Sequence, residues 1–442
     1  MEKTKSKDWY LSNFKIIEES LNGSASLTTN GKPKAPFHDI RKNAISKFEE
    51  IDFPTTKNEE WKYTNIAPIL SYNFTPADKA EISKSNVEKY IIPNLKINLF
   101  VLINGNFSAG LSKIHKLPSG VRIESFYNLL KNEPDFILEH FAKYAPLENG
   151  FVALNTAFAN DGVVIYIPDN AIVKDYIHIL NLIGADSENV LSQPRNLIVA
   201  GKNSQVKIIE SYHSISESVN LTNAVNEVIV GEGANVVLYR LQNENLNSFH
   251  INRTQIEQKK NSTFTHYSVT LGGSIVRNDT NTVLDDENCT ANLYGLYLTE
   301  SSQHVDNHTL IDHAKPRCKS NELYKGVLND KSRGVFNGKV FVRKDAQKTN
   351  AYQSNKAILL SKEALVDTKP QLEIYADDVK CSHGAAIGQL DEDALFYLRT
   401  RGIGEEQARG VLIRAFANDI FETIETGALQ DYLNNLVIAK LR

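Results

Sequence analysis

The sequence predicts a mainly β protein: a stacked β-solenoid between two helical regions. Three observations predict it. The hydrophobic period is helical near both ends of the chain and changes to two from about Leu95. Short strand-like runs then follow one another for most of the remaining length, separated by turn residues. Spanning residues 93–386 of a 442-residue chain, the β region outgrows an ordinary sandwich, whereas a solenoid extends by burying each coil against the next. No strict sequence repeat accompanies the pattern.

Taken in order, residues 9–21 predict a helix, with Trp9, Leu11, Phe14, Ile16, Ile17 and Leu21 at helical spacing. Residues 22–36 are rich in Gly, Ser, Thr, Asn, Lys and Pro and read as a linker. A second helix covers 37–51, with Ile40, Ala44, Ile45 and Phe48 on one face and Pro54 as its stop. Leu95, Ile97, Leu99, Val101 and Ile103 then alternate with their neighbours, and Asn104-Gly105 supplies a turn. Similar runs follow at 163–167, 177–183, 196–200, 206–209, 228–230, 236–241, 291–299, 338–342 and 372–375. Turn signals such as Gly201-Lys202-Asn203 and Gly231-Glu232-Gly233 separate many of them. Past Gly388 the helical period returns. Asp391 is suited to an N-cap, Leu395 and Leu398 form a stripe, and Gly402 ends that helix. A longer helix spans 405–426, with Ala408, Val411, Leu412, Ala415, Phe416, Ile420 and Ile424 on one face, and a last one carries Leu429, Leu433, Leu436 and Val437. The expected division is a helical region at 1–92, a β core at 93–386 and a helical region at 387–442.

Composition excludes several functions. There are 49 basic against 53 acidic side chains, so no basic surface invites nucleic acid. Cys289, Cys318 and Cys381 are too few for a disulfide framework, and too few for a cluster held by four thiolates of one chain. The charged start of the chain, Met1 to Asp8, lacks the apolar stretch of a secretion signal, and no run suits a membrane helix. A cytoplasmic location is therefore expected. Gly334 to Val340 resembles a phosphate-binding loop, but its glycines are too close and it ends in Val where a hydroxyl is needed. It reads as a turn before a strand.

Three clusters bear chemistry. In Cys381-Ser382-His383-Gly384 a thiol and an imidazole two residues apart project from one face of a strand, within reach of one metal ion. Two ligands leave a tetrahedral site incomplete, so the others must come from elsewhere in the chain or from another chain. His304, Asp306 and His308 likewise share a strand face, with His313 and Cys318 beyond, and their types suit zinc or iron. Alternate side chains on a strand stand about 6–7 Å apart, which opposes convergence of three on one ion. Asp279, Asp285, Asp286 and Glu287 are acidic. They fit a solvated turn, with calcium binding or polysaccharide chemistry as the alternative.

Two segments carry a resemblance. The run from Pro54 to Asn58-Glu59-Glu60-Trp61-Lys62-Tyr63-Thr64 is similar to the N-terminal signature of the SufD branch of the SufB/SufD family. The run from Asp377 through Cys381-Ser382-His383-Gly384 to Arg399-Thr400-Arg401-Gly402-Ile403 resembles its C-terminal signature. The stretches around Ala153 to Gly162 and from His304 to Gly326 fit the same family, so the resemblance spans about residue 37 to the end.

The resemblance implies a right-handed parallel β-helix between helical regions, in a non-catalytic scaffold subunit of the SUF machinery that builds iron–sulfur clusters. It implies pairing with SufB through the β-helix edge, and binding of the ATPase SufC through the C-terminal helices, where Asp391, Leu395, Leu398, Arg399, Arg401 and Phe416 are the expected docking residues. It assigns iron or cluster handling at the SufB interface to His383, with Cys381 beside it. No cofactor is expected on the isolated chain, only a transient cluster or iron shared with SufB, and a flavin in the assembled complex stays open. A homodimer of the isolated chain is expected to be feasible, since an edge meant for a relative can pair with itself. The alternatives from other classes are a metal-dependent enzyme using His304, His308 and His313, and a polysaccharide-active β-helix enzyme.

Overall fold

The computed structural model describes residues 2–22, 37–76, 82–184 and 189–440, with side chains from Ser6 to Ile16 in the first helix. The predicted linker at 22–36 lies almost wholly outside the described residues.

The chain winds into a β-solenoid of about seven turns. Each coil places one strand in each of two sheets, of eleven and ten strands. The first sheet runs through Val163–Ile167, Arg195–Ala200, Asn220–Val230, Ser248–Gln258, Ile275–Leu284, His304–His313, Arg333–Val342 and Leu365–Ile374. The second runs through Ile97–Ile103, Tyr176–Ile183, Gln205–Ser214, Asn235–Asn243, Thr263–Thr270, Thr290–Thr299, Lys319–Leu328, Asn350–Leu359 and Lys380–Gly388. Neighbours along these runs pair in parallel, as in Ile275↔His304 and Asn350↔Lys380. The register steps by 26 residues from Phe249 to Ile275 but by 32 from Arg333 to Leu365, so the structural repeat has no fixed sequence period.

One turn repeats nonetheless. Asn170, Asn203, Gly233, Asn261, Asn288, Arg317 and Lys348 all have φ between 53° and 65°. Asn and Gly enter this left-handed region at least cost. The asparagines stack from coil to coil: Asn203 Nδ2 donates to Asn170 Oδ1 at 3.2 Å, and Asn288 Nδ2 to Asn261 Oδ1 at 3.1 Å.

Alternate residues of each strand point between the sheets. There Ile165, Ile179, Ile198, Ile208, Val236 and Phe264 form the main core. Polar residues fill part of the interior, some of them in ion pairs such as Arg240 with Glu210 at 2.8 Å. Gly334 and Gly338, the glycines of the loop-like motif, lie within the strand Arg333–Val342 rather than in a turn.

The two ends of the solenoid differ. At the start, Arg122–Ser125 pairs antiparallel with Val163–Ile167, and Asn106–Phe107 closes the second sheet. Helices Phe126–Asn132, Pro134–His140 and Gly150–Phe158 pack nearby, in a stretch the period-two pattern assigned to the β body. Gly150–Phe158 is buried on every side, so it shows no amphipathic stripe, and its signal is the Asn149 cap, whose Oδ1 accepts from Phe151 N at 2.8 Å. At the other end Leu365–Ile374 and Lys380–Gly388 each have a single strand neighbour among the described residues.

The flanking helices form as expected, with shifted faces. The first helix, Glu2–Asn22, buries Tyr10 and Phe14, while Ile16 of the predicted stripe is 64% exposed. His38–Ile51 buries Ala44 and Phe48 as predicted, and also Arg41. Three C-terminal helices, Glu392–Thr400, Glu405–Phe421 and Gly427–Lys440, follow the last coil. The last two cover the outer face of the second sheet, where Ile413, Ala417, Ile420, Leu429, Leu433 and Val437 meet Tyr176, Tyr239, Tyr267, Leu296 and Val327. Ala408, Ile413, Ala417, Ile420 and Phe421 form the buried face of Glu405–Phe421, and Val411, assigned to that face from sequence, is exposed. That helix is apolar on more than one side, so the stripe alone does not fix its rotation. Among the described residues no helix is long and apolar enough to cross a membrane.

Candidate functional site

The strand Lys380–Gly388 ends the second sheet and carries both Cys381 and His383. Its partner Asn350–Leu359 buries Ala351, Gln353, Asn355 and Ala357. Cys381 stands in register with Ala351, and His383 with Gln353. In-register parallel neighbours point the same way, so Cys381, His383, Ala385 and Ile387 face between the sheets. With no further coil above among the described residues, His383 is exposed and Ile387 is 49% exposed. Cys381 is half-buried against Val340, Val342, Ala346 and Ala351, and burial raises its thiol pKa.

The surrounding rim is apolar and open. Leu365 and Tyr375 are each 58% exposed, and Tyr352 and Ile374 join them. Leu365–Ile374 has the features of a guarded edge, with Asp367, Lys369, Pro370 and Glu373 along it. Lys380–Gly388 has no proline and one permanently charged residue, Lys380. Its free edge can accept another strand.

His304, Asp306 and His308 share the outer face of the first sheet, beneath the Pro54–Thr64 signature. The structure joins them to protein groups. His304 Nε2 is 2.8 Å from Thr64 Oγ1, whose hydroxyl also contacts Asp306. His308 Nε2 is 3.0 Å from Asp306 Oδ1, and its Nδ1 is 3.4 Å from Glu60 Oε2. Arg277 pairs with Asp306 at 2.8 Å, donates to the Glu60 carbonyl at 2.7 Å and lies under the Trp61 ring. Burial would raise the Asp306 pKa, but His308 and Arg277 outweigh it and hold the carboxyl well below the usual range. Burial and Arg277 depress His308, but Asp306 and Glu60 carry it above its ordinary value. This network clamps the N-terminal signature to the solenoid.

His313 is not brought to that network. It lies on the opposite, inward face of the same strand, 2.9 Å from Ser320 Oγ, and burial lowers its pKa to about 4. Cys318 sits at a coil turn beside Cys289 of the preceding coil, and both thiols donate to the Asp286 carbonyl, at 3.2 and 3.1 Å. The four residues His304, His308, His313 and Cys318 therefore occupy three separate environments. Among the described residues no three His, Cys, Asp or Glu side chains are grouped to hold a metal ion. The acidic residues are also engaged: Asp279 pairs with Arg277 at 2.9 Å and Asp285 with Lys259 at 2.8 Å.

The expected docking residues divide into two kinds. Asp391 caps its helix, accepting from Asp393 N and Ala394 N at 2.9 and 3.0 Å. Leu395 is buried, Leu398 half-buried, and Phe416 packs on the solenoid with the Lys325 ammonium 4.4 Å from its ring. Arg399 faces Glu405 at 3.4 Å, and Arg401 donates to the Tyr397 hydroxyl at 3.1 Å. The apolar side chains left in solvent on that helix are Phe396, 69% exposed, and Tyr397, 57% exposed. Sequence reasoning passed over both, because they fall outside the stripe that holds the helix to its neighbour.

Residues 182–416 match the family model described as SUF system FeS cluster assembly, SufBD core domain, and residues 22–179 match the SufBD protein N-terminal region. An iron–sulfur cluster assembly SufBD family protein of Synechocystis is 35% identical over 90% of this chain and 89% of its own length. The iron–sulfur cluster assembly protein SufD of Escherichia coli is 31% identical over 91% of each chain. The protein of that name in Bacillus subtilis is 26% identical over 94% of this chain and 97% of its own.

Proposed function

Since the chain belongs to the SufB/SufD family and is SufD-like, with a role in SUF iron–sulfur cluster assembly, we propose that it is a non-catalytic scaffold subunit whose open solenoid end pairs with SufB. The observation that carries this is the terminal strand Lys380–Gly388, which combines a free edge, an exposed apolar rim and an inward-facing thiol–imidazole pair. A partner strand added there would continue the second sheet and cover Leu365, Ile374, Tyr375 and Ile387. It would also enclose His383 and Cys381. These supply two of the donors that iron or a nascent cluster needs, and the partner supplies the rest. Iron and the cluster are cargo at this junction rather than resident groups.

SufC, the ATPase of the machinery, docks in this proposal on the C-terminal helices, with Phe396 and Tyr397 as apolar anchors and Arg399 and Arg401 beside them. Three free thiols suit the reducing cytoplasm, where we place the protein's work.

The test is anaerobic co-expression with SufB and SufC, followed by purification through this chain. Recovery of all three chains, with iron and sulfide above the level of the isolated chain, supports the proposal. Recovery of a monomer or homodimer alone, with both partners expressed and soluble, contradicts it.

A further inference from the structure

Directly inside the solenoid from His383, two buried polar residues stand in one ladder. Glu322 is in register with Gln353, and Gln353 with His383. Adjacent strands lie about 4.8 Å apart, so each side chain can reach the next. Gln353 Nε2 donates to Glu322 Oε2 at 2.6 Å in a fully buried contact. Above its raised pKa of about 7 Glu322 is ionised and only accepts, which fixes the amide with its NH2 toward Glu322. Gln353 Oε1 is then left as an acceptor, and among the described residues it has no hydrogen-bond partner. A buried amide oxygen without a partner is costly, and structures rarely tolerate one. The ladder neighbour on its far side is the exposed His383, whose ring N–H likewise has no hydrogen-bond partner among the described residues.

The space is built for this amide. A Cβ at Gly338, on the facing sheet, would stand 2.4 Å from Gln353 Nε2. Burial raises the Glu322 pKa to about 7, so the interior holds this carboxyl at a real cost rather than as a solvated surface group.

We infer that Gln353, held by Glu322, is a positioning residue for His383: its Oε1 accepts the N–H of one ring nitrogen, fixing the tautomer and turning the other nitrogen's lone pair outward. Metal-binding histidines are commonly oriented in this way by an acceptor on the second nitrogen. The inference rests on His383 acting at the shared cluster site, as proposed above, but its first readout does not.

The experiment is 15N NMR of the full chain with labelled histidine, with the His383 resonance assigned by its loss in His383→Ala. In the wild type at pH 8 the neutral ring is expected in one tautomer. Gln353→Met keeps the volume and removes the acceptor, and is expected to release His383 into a tautomer mixture. Glu322→Gln still offers an amide oxygen to Gln353 Nε2, and is expected to retain the single tautomer. In the complex, Gln353→Met should slow cluster formation roughly tenfold while Glu322→Gln does not. A wild-type His383 that already averages between tautomers overturns the inference without any variant. So does an unchanged spectrum in Gln353→Met. Full cluster yield in His383→Ala would instead sink the role of His383 and leave the tautomer result standing, so the two failures are distinguishable.

Discussion

The guanidinium carbon of Arg277 stands 3.8 Å from the centroid of the Trp61 ring, joining the start of the chain to the middle of the solenoid. Around this contact Arg277 also pairs with Asp279 and Asp306, and Thr64, His304 and His308 complete the network. The Pro54–Thr64 signature is therefore a structural clamp. Asp306→Asn leaves Arg277 and His308 short of a buried partner and should cost about 3–5 kcal/mol, read as a lower urea midpoint at unchanged slope. A loss within about 0.5 kcal/mol would rule the clamp out.

The clamp also sets a pH window. His308 has a raised folded pKa, so its contribution is complete below the unfolded value near 6.5 and is lost as pH rises through the folded pKa. Asp306 has a lowered folded pKa, so its contribution holds above about 3.9 and is lost as pH falls through the folded pKa. Between these limits the pair is strongest. His308→Gln should therefore destabilise the chain more at pH 6 than at pH 8. An equal loss at both pH values would contradict the charged pair.

Thiol reactivity should follow burial. Cys289 and Cys318 are fully buried at stacked turns, and Cys381 is half-buried at the open end. A thiol reagent at pH 8 should modify Cys381 first in the native chain, and the other two only after denaturation. Peptide mapping that found Cys289 or Cys318 modified before Cys381 would refute this arrangement.

The first C-terminal helix separates packing from docking. Phe396 is exposed, so Phe396→Ser should change stability by no more than about 0.5 kcal/mol. It should weaken SufC binding at least about tenfold, which corresponds to about 1.4 kcal/mol. Leu395→Ala removes a buried side chain and should cost about 2–5 kcal/mol of stability instead. Unchanged SufC affinity by calorimetry in Phe396→Ser would place the docking surface elsewhere.

The solenoid was legible because strand period and turn residues survive where the repeat does not. Coil offsets of 26 to 32 residues hide the repeat from a search for a fixed period. The column of left-handed turns at Asn170, Asn203, Gly233, Asn261 and Asn288 was the available sign, since asparagine or glycine recurs once per coil. Gly150–Phe158 escaped detection because a helix buried on all sides has no polar face. At the open end, the shared face of Cys381 and His383 followed from strand geometry alone. The Gln353 and Glu322 beneath them did not, because residues that meet across coils are distant in sequence and their register depends on every intervening turn. The same limit applied to His304 and His308, whose partners Thr64 and Glu60 are more than two hundred residues away.

The measurement that bears most directly on the proposed function is cluster yield in the purified three-chain complex with His383→Ala. The expected result is a complex that still assembles, because His383 is exposed on the free chain and supports no core packing, and that shows a marked loss of iron and sulfide. An intact complex carrying a full complement of iron and sulfide would contradict the placement of cluster assembly at this end of the solenoid.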